Sequence, residues 1–496
     1  MQGIERRNQY PESPLWETSV GNDWLRMLSI GVIFLFGIRS GVGAETISQF
    51  FTLIRLDTHV GCSPSAIRDR LREMEALLPK FQQICEQSLA SEARHTTVAL
   101  DETFFGNFLI LVMIDLNSGY LLLEEIADDR RFETWMEKTS PRLEQLGVKV
   151  THAISDRARA LIKVAVTGFD CQSGADLFHA QQDMSRFLGG SLGRSLNSAK
   201  KNLEKAISSK EKAKKQGDDA QLEVLSQSCS DSEKELESIQ QIKQNYHNSL
   251  QGVSDALHPF SIEDNSIINA AFIESSLEAK AQAFETIAAK VNITDHKGAM
   301  NKFRKQFSDL SVSVTIWWEC VGKVIKQLDI DPIKQDWLIT TFFPVIYWFR
   351  RMEQTKNPAS KEKYRKAWKK ATAALNLHPL TPQLALDEIQ RWQVLATNLV
   401  NQFHRSSSAV EGRNGWLSQM YHNGRGFTEK RLKALTVIHN YFIRREDGST
   451  AAMRLFGKEH LDLFSWLLEN MGELPKPRKR RGHAISNPLI IQAVPA

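Results

Sequence analysis

Residues 97–127 constrain this chain most: their apolar residues come in unbroken runs, where much of the chain spaces them at a helical period. Runs over 98–100, 104–114 and 120–126 read as three strands. Asp115-Leu116-Asn117-Ser118-Gly119, between the last two, has the composition of a hairpin turn, which makes Asp115 a turn residue. Asp129 is placed to cap a helix running to Leu146, with Phe132, Trp135 and Leu143 on its inner face. A fourth strand over 148–155, a helix over 157–167, a short fifth strand over 175–178 and a helix opened by His179 follow. Three antiparallel strands, then alternating helix and strand, predict a mixed β-sheet with helices laid against it.

The flanking sequence reads as helix. Leu25, Leu28, Val32 and Leu35 recur at helical spacing, a second helix is expected over 44–54, and a third over 63–78 with Ser63 as cap and Pro64 in its first turn. That third helix carries Arg68, Arg70 and Arg72, and a helix, a short link and a basic helix are compatible with a helix-turn-helix. Over 195–250 Lys, Glu, Ser and Gln dominate, and Leu203, Ile207, Leu222, Leu225, Leu236 and Ile239 leave a thin apolar stripe broken at Gln216-Gly217-Asp218-Asp219. A coiled-coil hairpin is the natural reading. Over 260–400 the pattern is helical, with Trp317, Trp318, Trp337, Trp348, Trp368 and Trp392 as core anchors of an all-α domain.

The fold class expected is therefore α/β plus all-α, and 496 residues exceed what one core accommodates. The predicted parts are an N-terminal helical, DNA-binding domain (1–96), a sheet-bearing core in two pieces (97–194 and 403–470), a helical segment between them (195–402), and a basic, disordered tail (471–496). Five cysteines without paired spacing argue against a zinc site or a disulfide framework and fit a reducing compartment. The N-terminus shows no signal-peptide pattern. The most apolar stretch, 25–38, is shorter than the ~20 residues a span needs and is bracketed by Arg26 and Arg39, so a buried helix, no membrane and a cytoplasmic, nucleoid-associated protein are expected.

Three carboxylates carry the chemistry. Val98-Ala99-Leu100-Asp101-Glu102 and Val150-Thr151-His152-Ala153-Ile154-Ser155-Asp156 each deliver an aspartate at or near the end of a strand. Glu411 lies in Ser408-Ala409-Val410-Glu411-Gly412-Arg413-Asn414-Gly415, read as a helix. Asp, Asp and Glu on strand, strand and helix form a layout that holds two divalent cations, magnesium or manganese, about 3.5–4 Å apart for phosphoryl transfer on nucleic acid. Simpler roles stand beside this one. Glu102 is a neighbour that could support Asp101; Asp156 could cap the helix that follows it; Ser408 and Glu411 have capping-box spacing; His179 could contact phosphate, support a ligand or be a core histidine. Net charge is only +5, but Arg405, Arg413, Arg425, Lys430, Arg431, Lys433, Arg444 and Arg445 make 403–446 locally basic. Arg413, Arg425, Lys430, Arg431 and Lys433, together with His179, Arg68 and Arg72, are the candidate DNA contacts, and Lys476-Pro477-Arg478-Lys479-Arg480-Arg481 could touch phosphates nonspecifically.

These segments, with Asp176-Leu177-Phe178-His179, Arg431-Leu432-Lys433-Ala434-Leu435-Thr436-Val437-Ile438-His439-Asn440-Tyr441 and Asp447-Gly448-Ser449-Thr450-Ala451-Ala452, resemble bacterial DDE transposases over about 97–190 and 403–460. The resemblance implies an RNase H-like catalytic core split by a large helical insertion, two magnesium or manganese ions held by Asp101, Asp156 and Glu411, and metal-dependent cleavage and transfer of DNA strands. It implies double-stranded DNA partners, both element ends and target, and a homo-oligomer. Glu319, Glu388 and Glu429 are weaker candidates for the third carboxylate. Two alternatives stay open: an inactive, transposase-derived DNA-binding protein, and an RNase H-like nuclease without strand transfer.

Overall fold

The strand β1, Arg94–Phe105, is buried through its middle and needs partners on both edges. It has them: β2, Phe108–Asp115, runs antiparallel on one side and β4, Val148–Ser155, parallel on the other. Outside these lie β3, Leu121–Ala127, antiparallel to β2, and β5, Gln172–Ala175, parallel to β4, giving the order β3-β2-β1-β4-β5. The protein is thus mixed α and β, with one small five-stranded mixed sheet among many helices. This computed structural model describes residues 13–90, 93–106, 108–216, 219–422 and 428–477.

Several element boundaries differ from the sequence expectation. Antiparallel pairing with β2 carries β1 past its apolar run to Phe105, so Asp101 lies inside a strand, and the chain turns at Gly106, φ +58°, instead of continuing as one strand over 104–114. The helix Phe132–Leu146 has Arg131 as its cap, and Asp129 sits just outside, accepting from the Arg131 amide (2.9 Å) and the Thr134 hydroxyl (2.5 Å). β5 ends at Ala175 because Asp176 caps the helix Leu177–Met184, which places His179 inside that helix. The helix expected over 157–167 opens at Arg159 and continues π-helically over Val164–Gly168. Asp115 is a turn residue: its buried carboxylate accepts from the Thr96 hydroxyl and from the Ser118 (2.8 Å) and Asn117 (3.3 Å) amides.

Two long helices, Gly190–Gln216 and Asp219–Ala256, pack along one another where the coiled-coil hairpin was expected. The helices that follow share a core in which Trp317, Trp337 and Trp348 are buried. Each indole N–H is satisfied, by the Leu399 carbonyl (2.7 Å), the Thr381 hydroxyl (3.2 Å) and the Asn265 side chain (2.8 Å), as core anchors require. His258 is fully buried there, its Nδ1 on the Tyr347 hydroxyl and its ring against Trp348 and Tyr364.

The chain divides into two compact units, Glu92–Asn414 and Met1–Ser91 with Gly415–Ala496. The chain passes from one unit to the other at Asn414/Gly415. The reason is apolar: Leu432, Leu435 and Ile438 of the helix Glu429–Tyr441 are buried, and that helix lies against Pro64–Leu89, with Tyr441 edge-on to Phe81. Pro64–Leu89 also outruns its expected end at residue 78. Pro79 costs it a backbone donor, but Met74, Leu78, Phe81, Cys85 and Leu89 keep one face buried to the last turn. Arg26 closes the opposite side, donating to the carbonyls of Leu468 (2.7 Å) and Met471 (2.6 Å) at the end of Leu463–Asn470. One helix, Ser19–Arg39, is long and apolar enough to cross a membrane by length and composition, and half of its apolar window is buried within the protein. Of the tail, residues 478–496 lie outside the described residues.

Burial holds the His258 imidazole well below its ordinary value of 6.5, and the charges of Arg405 and Arg351 add to the effect. The unfolded chain therefore binds a proton that the native state refuses. The His258 contribution to stability is full above about pH 6.5 and falls by about 1.4 kcal/mol per pH unit below it. Urea denaturation between pH 7 and pH 5 should show a shallower pH slope in His258→Gln by about that amount; equal slopes would mean His258 is not the titrating group.

Candidate functional site

Asp101 projects from the middle of β1 and is 8% exposed. Strand alternation sends its neighbour Glu102 to the other face, where Glu102 accepts from the Trp135 indole (3.3 Å) and pairs with Arg130 (3.3 Å). Ala99 pairs with Ile154, so two residues further along Asp101 is level with Asp156, which follows the end of β4. Asp156 is exposed and its Oδ1 accepts from the Ala158 amide (2.9 Å); Ala158, not Asp156, is the cap position of the helix Arg159–Lys163. Arg157 beside it adopts a left-handed backbone, φ +70°, costly for a residue with a Cβ. Its guanidinium is held by Asp309 (2.7 Å) and by the Ser173 hydroxyl (3.0 Å) and carbonyl (3.2 Å), contacts that fix the turn carrying Asp156.

Glu411 enters on the helix Ser408–Met420. Its carboxylate turns to His179 (Oε1–Nε2 3.2 Å). One helical turn on, Asn414 donates its Nδ2 to Asp101 Oδ2 (2.7 Å), while the Glu102 amide donates to Oδ1 (2.9 Å). Asn414 Oδ1 is buried without a hydrogen-bond partner. Ligand atoms of Asp101, His179 and Glu411 all lie within 4.8 Å of one another. The structure thus brings Asp101, Glu411 and His179 into one close group. Asp156 stands outside that group but near enough for its charge to act on Asp101.

The electrostatics follow from this crowding. Burial, above all, pushes the Asp101 carboxyl up to about 7, the Glu411 and Asp156 charges push the same way, and the Glu102 amide bond and His179 oppose them. Burial also raises Glu411, against the favourable charge of His179. Two carboxylates and an imidazole make a donor set a divalent cation fits: it would offset the buried charge of Asp101 and give Asn414 Oδ1 a partner.

Asp176 holds the site together from behind. It is buried, accepts from the amides of Phe178 (2.9 Å) and Ser407 (3.1 Å) and from the Ser407 hydroxyl, and its own amide donates to Ser155 (3.0 Å). Sequence reasoning gave functional roles to neither Asp176 nor Asn414. The spacing of Asn414, three residues after Glu411 on a helix, was the available signal.

The basic candidates separate. Arg413 is not available to phosphate: it is buried and bidentate on Glu124 of β3 (2.7 and 2.6 Å), since a guanidinium fork at that depth requires a carboxylate. Arg431 is likewise committed, to Glu75 (3.2 Å) and the Gly37 carbonyl (3.1 Å). Arg68 pairs with Glu45, Arg72 with Asp69 and Lys433 with Glu429, all at the surface, and Lys430 is exposed. Arg425 lies outside the described residues. Of the weaker glutamates, Glu388 is bound to Lys334 and Glu319 lines a groove between helices.

Residues 338–483 match a family described as a family of unknown function (DUF6399). The match includes Glu411 and Asn414 and leaves out Asp101, Asp156 and His179. No curated protein matches the chain.

Two outcomes follow for stability. The folded Asp101 carboxyl at about 7 against 3.8 unfolded means the fold is favoured by its protonation, and stability is lost as pH rises from about 4 through 7. Asp101→Asn should therefore stabilise the metal-free protein above pH 7 by on the order of 3 kcal/mol and flatten that slope, read by denaturation in EDTA. A wild type no less stable at pH 8 than its variant would refute it. Arg413→Leu strands Glu124 and should cost about 3–5 kcal/mol in the same measurement; a loss under 1 kcal/mol would show the pair to be dispensable.

Proposed function

We propose that this chain is a DDE-type transposase, cleaving DNA and transferring strands with two divalent cations held by Asp101, Asp156 and Glu411. The observation that carries the reading is the convergence of Asp101, from the central strand, with Glu411, from a helix far along the chain, while Asp156 is level with Asp101 on the next parallel strand. Supporting it is the strand order, antiparallel on one side of β1 and parallel on the other, which suits an RNase H-like core. On that reading the helices between residues 190 and 402 are an insertion before the catalytic glutamate.

When bound, the two ions would make a water or 3′-hydroxyl nucleophilic and neutralise charge on the leaving oxygen. The residues supply position. Asp101 and Glu411 hold ligand oxygens on a rigid strand and helix, Asn414 orients Asp101 through Oδ2, and His179 steadies Glu411. His179 also offers a nitrogen, which sits less well on magnesium than oxygen does, so manganese is the better probe. Element ends and target DNA are the partners. Lys430, Lys433, Arg72 and Arg68, all at the surface, are the remaining described basic candidates for phosphate contact, and the protein acts in the cytoplasm at the nucleoid as a homo-oligomer.

The test is strand cleavage and joining on DNA bearing the ends of the element that encodes the chain, with manganese or magnesium. Metal-dependent nicks and joined products are expected, both abolished in Asp156→Ala and Glu411→Gln. Cleavage without joining would favour the nuclease reading. Activity that survives either substitution would remove that carboxylate from the site.

A further inference from the structure

The apolar residues of the helix Ser19–Arg39 do not all turn inward. Leu25, Ile30, Val32, Ile33, Phe34 and Ile38 are buried, whereas Val20 (66% exposed), Trp24 (60%), Leu28 (36%), Leu35 (37%) and Phe36 (47%) face solvent. The period read in the sequence therefore divides, with Leu25 and Val32 in the core and Leu28 and Leu35 outside. Val20, Trp24 and Leu28 follow one another at i, i+4 and i+8, so they stack along one side of the helix. The helix is π-helical over Ile33–Arg39, where Ile33, Phe34, Gly37 and Ile38 turn inward and Leu35, Phe36 and Arg39 outward. The exposed row therefore continues to the end of the helix.

Single exposed apolar side chains are ordinary, but a contiguous row of them on a folded unit marks a contact surface. The charges on the helix say what covers it. Arg26 is turned away, to the carbonyls of Leu468 and Met471. Asp23, near the start, and Arg39, the last residue, are exposed, and among the described residues neither has an ion-pair partner; Arg39 only lies over the Phe442 ring (5.8 Å). One acid at one end and one base at the other make the face complementary to its own reverse, the condition for a two-fold contact between identical surfaces. A phosphate backbone would call for several cations on this face, and a membrane surface for a flank rich in lysine and arginine.

At these exposures the five side chains offer on the order of 500 Å² per copy, so two copies would cover about 1,000 Å², where specific interfaces begin. A two-fold axis near residue 31 sets Leu28 against Leu35 and Asp23 against Arg39, since both pairs are centred there. We propose that this face pairs with the same face of a second copy of the chain, the two helices running antiparallel. Such pairing gives the homo-oligomer of the transposase reading its surface. It rests on that reading for its purpose but not for its contacts, which involve neither metal nor DNA.

Analytical ultracentrifugation of the full chain, in EDTA and without DNA, tests this. A concentration-dependent equilibrium between monomer and dimer is expected. Trp24→Asp and Leu28→Asp, each at an exposed position, should shift it about tenfold or more toward monomer while circular dichroism and urea denaturation stay unchanged. Asp23→Arg should weaken association about fivefold, and adding Arg39→Asp should restore it, a recovery that parallel pairing would not give. A monomer at every concentration, an unshifted dimer in Leu28→Asp, or no recovery in the charge-swapped double variant would overturn the proposal. So would binding to phosphatidylglycerol vesicles that Leu28→Asp abolishes, which would give the face to a membrane instead.

Discussion

Asp176 is the fastening on which the acidic cluster depends. Its amide bonds the end of β4 and its carboxylate takes two hydrogen bonds from Ser407, immediately before the helix that carries Glu411. Residues more than two hundred positions apart are thereby held at one point, against the loop-closure entropy that separation carries. The neighbouring Arg405 extends the fastening, since its carbonyl accepts from Leu177 while its guanidinium reaches the Leu257 carbonyl (3.2 Å) and Ser254. A buried carboxylate with every bond local to the junction is a rigid device, and rigidity is what a ligand set needs.

The Glu411 helix is secured a second time by Arg413 on Glu124, and the two devices divide one face from the other. Arg413 turns inward to the sheet, whereas Glu411 and Asn414, three residues apart, turn to Asp101. The cost of the arrangement is carried by Asp101 itself. Its carboxyl is raised to about 7 because the strand buries it beside like charges. At neutral pH it is therefore near its midpoint, so a cation bound there would displace a proton.

What sequence showed and what it hid divide along physical lines. The strands were visible because their apolar runs break the helical period, and Asp101 and Asp156 because each ends such a run. The extent of β1 was not, since it is pairing with β2, distant from any apolar signal at Asp101 and Glu102, that carries the strand to Phe105. Pro79 hid the length of Pro64–Leu89 for the same reason: tertiary burial overrides a local breaker. The fate of the arginines was least visible. Arg413 and Arg431 look like phosphate ligands in sequence, and only the facing carboxylates Glu124 and Glu75, distant in the chain, reveal them as structural. Asp176 was similarly concealed, because capping a helix and joining two segments leave the same local pattern.

The bulge at Thr151 links the two ends of the sheet. One inserted residue in β4 shifts everything after it by one position against β1. With the Thr96–Val150 register continued unbroken, Asp101 would be level with Ser155, and Asp156 would lie beyond it on the opposite face, since a one-residue slip inverts every side chain. The insertion therefore delivers Asp156 level with Asp101. A defect in a regular ladder is costly unless something depends on it. Here the placing of Asp156 beside Asp101 does, which is a physical reason for an irregularity in the pairing of β1 with β4.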